Sequence, residues 1–132
     1  MATISLDLVS PEQLLFNDEV GMIIVPGKDG DIGVLPEHSK ILSSLRPGRI
    51  MIYGEGKDLL KSFFVTGGFV EINSEKCIVL GEGVHEMSTL DKSSIEIQIQ
   101  ELATQDSVES RLQLSIANSK MEALNSSHYE KI

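Results

Sequence analysis

Every glycine and every proline of this 132-residue chain lies within its first 83 positions. The 11 glycines run from Gly21 to Gly83 and the 4 prolines from Pro11 to Pro47, while residues 84–132 hold neither. The four phenylalanines, Phe16, Phe63, Phe64 and Phe69, also fall in the first part. Glycine reaches backbone angles that other residues avoid, and proline fixes φ and removes a donor, so a segment rich in both changes direction often. A segment without them can run on as helix. The distribution predicts an α+β chain in two regimes with a boundary in the mid to late 80s, residues 1–86 forming one unit and 87–132 a second.

The first regime reads as β. Thr3-Ile4-Ser5-Leu6-Asp7-Leu8-Val9 alternates polar and apolar residues over its first six positions, the pattern of a half-buried strand. Val20 to Val25 reads as one short apolar run stopped by Pro26-Gly27. Arg49 to Tyr53 and Leu59 to Thr66 are strand candidates joined by Gly54-Glu55-Gly56-Lys57-Asp58, a five-residue hairpin loop. Phe69 to Ile72 and Lys76 to Leu80 flank a second turn at Asn73-Ser74-Glu75. Short strands at close spacing with turn chemistry between them predict an antiparallel sandwich or barrel.

The second regime reads as helix. Val108, Leu112, Ile116, Ala117, Met121, Ala123 and Leu124 approximate one helical stripe, with Asp106 or Ser107 as the N-cap. Ile95-Glu96-Ile97-Gln98-Ile99-Gln100 alternates with period two and taken alone fits a strand. Ile95, Ile99 and Leu102 also fit a helix capped by Asp91, and the absence of turn residues on either flank favours it. A polar link at Thr104-Gln105-Asp106 then gives an antiparallel two-helix hairpin.

Composition narrows the function. Hydrophobic residues make up 41% of the chain, enough for a packed core. With 11 Lys+Arg against 20 Asp+Glu the net charge is −9, which opposes binding to nucleic acid or anionic lipid. The single cysteine, Cys77, excludes an intrachain disulfide and suits a reducing compartment. No basic leader and no apolar run near the ~20 residues of a membrane-spanning helix is present, so neither a signal peptide nor direct membrane insertion is expected.

Little in the chain suggests chemistry. His38, His85 and His128 are isolated from one another and from Cys77, so no metal-ligand spacing arises. Cys77 sits in the apolar run Cys-Ile-Val-Leu, as a buried inert thiol would. Gly27-Lys28-Asp29-Gly30-Asp31-Ile32-Gly33 lacks the Gly-Lys-Ser/Thr ending of a phosphate loop, and Asp29-Gly30-Asp31 lacks the closing Glu of a calcium loop. Turns between strands account for both. No catalytic, cofactor or metal site is expected.

Four segments carry a resemblance. Val9-Ser10-Pro11-Glu12, Val25-Pro26-Gly27-Lys28-Asp29-Gly30-Asp31-Ile32-Gly33-Val34-Leu35-Pro36-Glu37-His38, Leu45-Arg46-Pro47-Gly48-Arg49-Ile50 and Phe64-Val65-Thr66-Gly67-Gly68-Phe69-Val70-Glu71 resemble, in order and spacing, the epsilon subunit family of F-type ATP synthases, the counterpart of the mitochondrial delta subunit. The resemblance covers nearly all of the first 83 residues. It implies an N-terminal antiparallel β-sandwich of about ten strands and a C-terminal helical hairpin. It implies a non-catalytic rotor part that binds the gamma subunit and the c-ring, at the cytoplasmic face of the bacterial inner membrane. Asp29, Gly30, Asp31, Glu37 and His38 are the interface residues it points to, although His38 reads equally as a solvated loop residue.

The tail departs from the family pattern. Some members bind ATP through a motif that starts Ile/Leu-Asp and ends Arg-Ala; here Leu90 and Asp91 match, but Ser94 and Ile95 replace the arginine and alanine. Serine supplies no cationic fork for phosphate, so no ATP is expected to bind. Arg111 and Lys120 against Glu109 and Glu122 leave residues 107–126 without net charge, so transient contact of the hairpin with the beta subunit should brake ATP hydrolysis weakly. The hairpin offers few large apolar side chains for its length and should be loosely held. Two rival classes remain: a ligand-binding β-sandwich, which 5% aromatics and no Trp disfavour, and a small hydrolase or cupin-like enzyme, which lacks a His/Glu metal set.

Overall fold

The computed structural model describes residues 2–37 and 39–125; His38 and His128 lie outside the described residues. Ten strands follow one another as β1 (Ile4–Val9), β2 (Leu14–Val20), β3 (Met22–Gly27), β4 (Gly30–Val34), β5 (Ile41–Leu45), β6 (Gly48–Tyr53), β7 (Leu59–Val65), β8 (Gly68–Ile72), β9 (Lys76–Gly81) and β10 (Val84–Glu86). A 3-10 turn (Met87–Thr89) then leads to α1 (Lys92–Ala103) and α2 (Val108–Asn125). Strands β10, β7, β6, β3 and β4 form one layer and β5, β8, β9, β1 and β2 the other. The layers join where Gly27 of β3 pairs with Leu45 of β5. The sandwich is antiparallel except at β1 and β9, which run parallel, a pairing that the hairpin signals in the sequence did not reveal.

Between the layers lies the main core. Ile4, Leu6 and Leu8 of β1 alternate inward and are fully buried, as the polar/apolar alternation of that segment predicted. They meet Ile23, Val25, Ile50, Ile52, Phe63, Val65, Val70, Ile72, Cys77 and Val79. Each such aliphatic or aromatic side chain contributes roughly 1.5–3 kcal/mol on burial. Cys77 is completely enclosed, and burial pushes its thiol up to about 12.

The expected turns hold, with one revision. Residues 54–58 form the β6–β7 loop, and Asn73 closes the β8–β9 turn by accepting from the amides of Glu75 and Lys76 at 2.9 and 2.8 Å. Val20–Val25, read as one apolar run, is two strands. Val20 ends β2 and Met22 opens β3, with Gly21 between them backed against Gly54 so closely that a Cβ would stand 2.5 Å from its carbonyl oxygen.

The helices pack as an antiparallel pair. Asp91 caps α1 by accepting from Ser93 N, and Ser107 caps α2 by accepting from Ser110 N at 3.0 Å. Asp106, the other cap candidate, instead pairs with Arg111 at 2.9 Å. The buried stripe of α2 also differs from the expected one. Ser110, Leu114, Ala117, Met121 and Leu124 face α1, a 4-3-4-3 spacing typical of two helices in register, and meet Ile95, Ile99 and Leu102. Val108 and Leu112 are instead 81% and 61% exposed. Residues four apart drift by about 40° around a helix, so Val108 and Leu112 fall on the side away from Leu114, Ala117 and Met121.

Gly68 is the most constrained backbone position. Its φ is +137°, and a Cβ there would lie 2.0 Å from the Leu80 carbonyl oxygen across the β8–β9 pair. Both the angle and the approach exclude a side chain. Gly68→Ala is expected to lower stability by at least about 2 kcal/mol in urea unfolding followed by circular dichroism.

Candidate functional site

The expected interface residues fall at two places. Asp29 and Gly30 form the exposed tip of the β3–β4 hairpin, where Gly30 takes a φ of +142° open to glycine. Asp31 follows on β4 and pairs with Arg46, which also donates through Nη1 to the Gly27 carbonyl at 2.6 Å. Lys28 N donates to Ser44 O at 2.9 Å, and Arg46 N to Pro26 O at 3.0 Å. The tip is thus braced against the β5–β6 corner on three sides.

Glu37 lies at the opposite end of β5. Its amide donates to Ser74 O at 3.0 Å, in the turn that follows Ile72, and Ile72 pairs with Ile41 at the start of β5. A five-residue strand separates the two places by about 17 Å. Glu37 borders an open groove of about 510 Å³ together with Glu19, Glu75 and Lys76. A segment continuous in sequence therefore supplies two ends of the sandwich instead of one patch.

The residues of the degenerate nucleotide motif have structural contacts. Asp91 accepts from Ser93 N at 3.2 Å and from the Ser94 hydroxyl at 2.7 Å. Ser94, at the position where an arginine would reach for phosphate, thus completes the helix cap. Ile95 is buried between the helices, and Leu90 packs against both the helix pair and the sheet-facing cluster.

The two outer faces of the sandwich are treated differently. On the first layer, Arg49, Met51 and Tyr53 of β6 alternate outward, and Met51 and Tyr53 are fully buried. Burial pushes the Tyr53 hydroxyl up, against the opposing effect of the Arg49 charge. Phe64 on β7 pairs with Arg49 and is covered by Met87, Leu90, Ile116, Ala123 and Leu124. The hairpin therefore lies on this layer.

Among the described residues, no helix lies on the second layer. Cross-strand pairs place Phe69, Leu80, Val9 and Leu14 in one outward row, and Leu42, Glu71, Ile78, Asp7 and Asn17 in the next. Leu42, Phe69, Leu80 and Leu14 are 75%, 55%, 51% and 57% exposed. Beside them Lys76 Nζ stands 2.8 Å from Asp7, and hydrogen bonds from Lys76 and then Asn17 hold the Asp7 carboxyl below its usual range. A contiguous apolar sheet face of this kind marks an interaction surface. Sequence reading missed it, although the unbroken run Cys77-Ile78-Val79-Leu80 signals a strand apolar on both sides.

Residues 3–87 match the family model described as the ATP synthase Delta/Epsilon chain, beta-sandwich domain. The chain belongs to the ATP synthase delta/epsilon family. The ATP synthase epsilon chain of Rhodospirillum rubrum is 41% identical over 98 residues, covering 74% of this chain and 72% of that one. A chain of the Euglena gracilis mitochondrial ATP synthase, solved as the OSCP/F1/c-ring assembly, superposes with a TM-score of 0.80 at 22% identity, covering 94% of this chain and 80% of its own. A chain of the Tetrahymena thermophila mitochondrial ATP synthase central stalk and c-ring gives a TM-score of 0.63 at 16% identity, with 92% of each covered. At these identities the superpositions speak for the fold, helices included.

The cap role of Asp91 has a measurable consequence. Asp91→Ala is expected to weaken the start of α1 by about 1 kcal/mol, read as roughly fivefold faster amide exchange over its first turn. Amides of β6 and β7 should exchange as before.

Proposed function

We propose that this chain works as a non-catalytic rotor subunit of an F-type ATP synthase, docking on the gamma subunit through the bare outer face of the second layer. The observation that carries this reading is the exposed apolar row Phe69, Leu80 and Leu14, with Leu42 in the row beside it, on a member of the delta/epsilon family. Family relatives are named ATP synthase epsilon chains, and the fold recurs in central stalk and c-ring assemblies. The helices already occupy the opposite face, which leaves this one for a partner that fits a flat apolar sheet.

In this reading the chain performs no reaction step; it couples rotation of the c-ring and gamma to ATP synthesis on the beta subunits. Asp29, Gly30 and Asp31 form the corner offered to the c-ring, and Glu37 the end offered to gamma. The bracing by Arg46 suits such a role, since a loop that transmits torque must not yield. Among the described residues no helix is long and apolar enough to cross a membrane. The subunit would be held peripherally at the cytoplasmic face of the bacterial inner membrane by gamma and the c-ring.

Residues 1–86 and 87–132 act as two units in this proposal, because the sandwich core and the inter-helix cluster share no buried residue. The hairpin touches the beta subunit only transiently and brakes hydrolysis weakly. Ser94 is engaged with Asp91, so no arginine-like group awaits a nucleotide phosphate.

Phe69→Glu combined with Leu80→Glu is expected to weaken gamma binding at least about tenfold in co-purification and titration, with the circular dichroism spectrum unchanged. Undiminished binding would remove the docking face from consideration. Deleting the residues after 88 should raise ATP hydrolysis by the soluble head complex less than about twofold, since exposed ion pairs contribute only ~0–1 kcal/mol each. A many-fold activation would show a strong brake instead.

A further inference from the structure

One cross-strand row on the outer face of the second layer holds two carboxylates, Asp7 and Glu71, in unlike surroundings. Asp7 on β1 accepts from Asn17 across the β1–β2 pair and stands 2.8 Å from Lys76 Nζ. Its charge is met within the sheet. Glu71 on β8 is exposed and lies between Leu42 of β5 and Ile78 of β9, both apolar. Phe69, two residues earlier on β8, points out on the same side. Among the described residues no lysine, arginine or histidine nitrogen lies within ion-pair reach of the Glu71 carboxylate.

The sheet has no cation to spare for it. Lys76 is the diagonal neighbour across the β8–β9 pair, and Asp7 already holds it. Lys40, toward the other diagonal, precedes β5, whose paired residues begin at Ile41. Past Asp7 the face runs on into the groove bordered by Glu19, Glu37, Glu75 and Lys76, so its polar end is acidic as well. Water satisfies Glu71 while the face is bare. A carboxylate stripped of that water without an opposite charge is strongly disfavoured, whereas one met by its complement fixes register and partner choice.

We propose that Glu71 is the specificity-determining residue of this face: the partner that covers Phe69 and Leu80 sets a lysine or arginine against its carboxylate. This pairing rests on the docking face proposed above and adds the charge that the partner must present there. Two residues along a strand span about 7 Å, so the cation sits about that far from the group covering Phe69. The complementary surface is therefore an apolar patch with one basic side chain set into it. The net charge of −9 favours encounter with a basic surface in the same sense.

Replacing Glu71 by leucine separates the possible surroundings by the sign of the effect. With a cation opposite, Glu71→Leu strands that cation under apolar cover and weakens binding, although it adds apolar area. With only apolar groups opposite, the same change removes a desolvation cost and tightens binding. With Glu71 at a wet rim, affinity does not move.

The test titrates the gamma subunit with the full chain in native form and as Glu71→Gln and Glu71→Leu. Both variants are expected to bind at least about tenfold more weakly, with unchanged circular dichroism spectra. Between about 50 and about 500 mM salt the native chain should lose more affinity than either variant. Unchanged or tighter binding by Glu71→Leu, or equal salt dependence in all three chains, would overturn the pairing. Phe69→Glu with Leu80→Glu keeps the two levels apart. If that chain binds gamma as the native one does, the docking face falls. If it fails to bind while Glu71→Leu binds unchanged, only the cation opposite Glu71 falls. Dimerisation of the native chain alone, abolished by Phe69→Glu with Leu80→Glu, would assign the face to a second copy and overturn the pairing too.

Discussion

The organisation of the molecule depends on strands β6 and β7 being apolar on both faces. Ile50, Ile52, Phe63 and Val65 point into the sandwich, while Met51, Tyr53 and Phe64 point out and are nonetheless fully enclosed. A sheet apolar on both sides cannot stand in water with one side bare. The hairpin supplies the missing cover, which is why a turn-rich module and a turn-poor one belong to a single chain. Arg49 fastens the contact by donating from the sheet to the Ala123 carbonyl of α2.

The second layer is apolar inward and only partly so outward, where Phe69 and Leu80 share the face with Glu71, Asp7 and Asn17, and among the described residues no helix covers it. Its inward residues, Val70, Ile72, Cys77 and Val79, belong to the core, and its outward ones, Phe69, Ile78 and Leu80, reach solvent. The chain therefore resolves one problem internally and leaves the equivalent problem to a partner. That asymmetry gives the subunit a direction: one face occupied by its own helices, the other open for assembly. The braced corner at Asp29–Asp31 and the Glu37 end lie at the two extremities of the same layer junction, so a partner on the open face would lie between them.

Much of this was readable from residue order. Glycine and proline usage divided the chain near the end of β10, and the alternation of Ile4, Leu6 and Leu8 named one face of the core. Other features could not be read because they are set by contact. Val20–Val25 seemed a single run because Gly21, which separates two strands, works through its approach to Gly54, far along the chain. Val108 and Leu112 looked like stripe residues, but steps of four drift around the helix and carry them away from the face of Leu114, Ala117 and Met121. The four family motifs pointed to the segment from Asp29 onward as one expected interface but not to its division between two ends, which follows from β4 running the length of β3. The apolar outer face was equally hidden, since a run such as Ile78-Val79-Leu80 does not say which of its sides a helix will cover.

The hairpin joins the sandwich by a contact unlike either of the cores it separates. Between the helices, Ile95, Ile99 and Leu102 interlock with Leu114, Ala117 and Met121 at regular spacing, so the pair carries much of its own packing. Against the sheet, α2 presents Ala123 flanked by Ile116 and Leu124 over Phe64. Apolar stabilisation scales with area removed from water, and on the sheet side this seam encloses Met51, Tyr53 and Phe64. Opening it would leave the sandwich core and the helix pair intact, at the expense of exposing Phe64, Met51 and Tyr53.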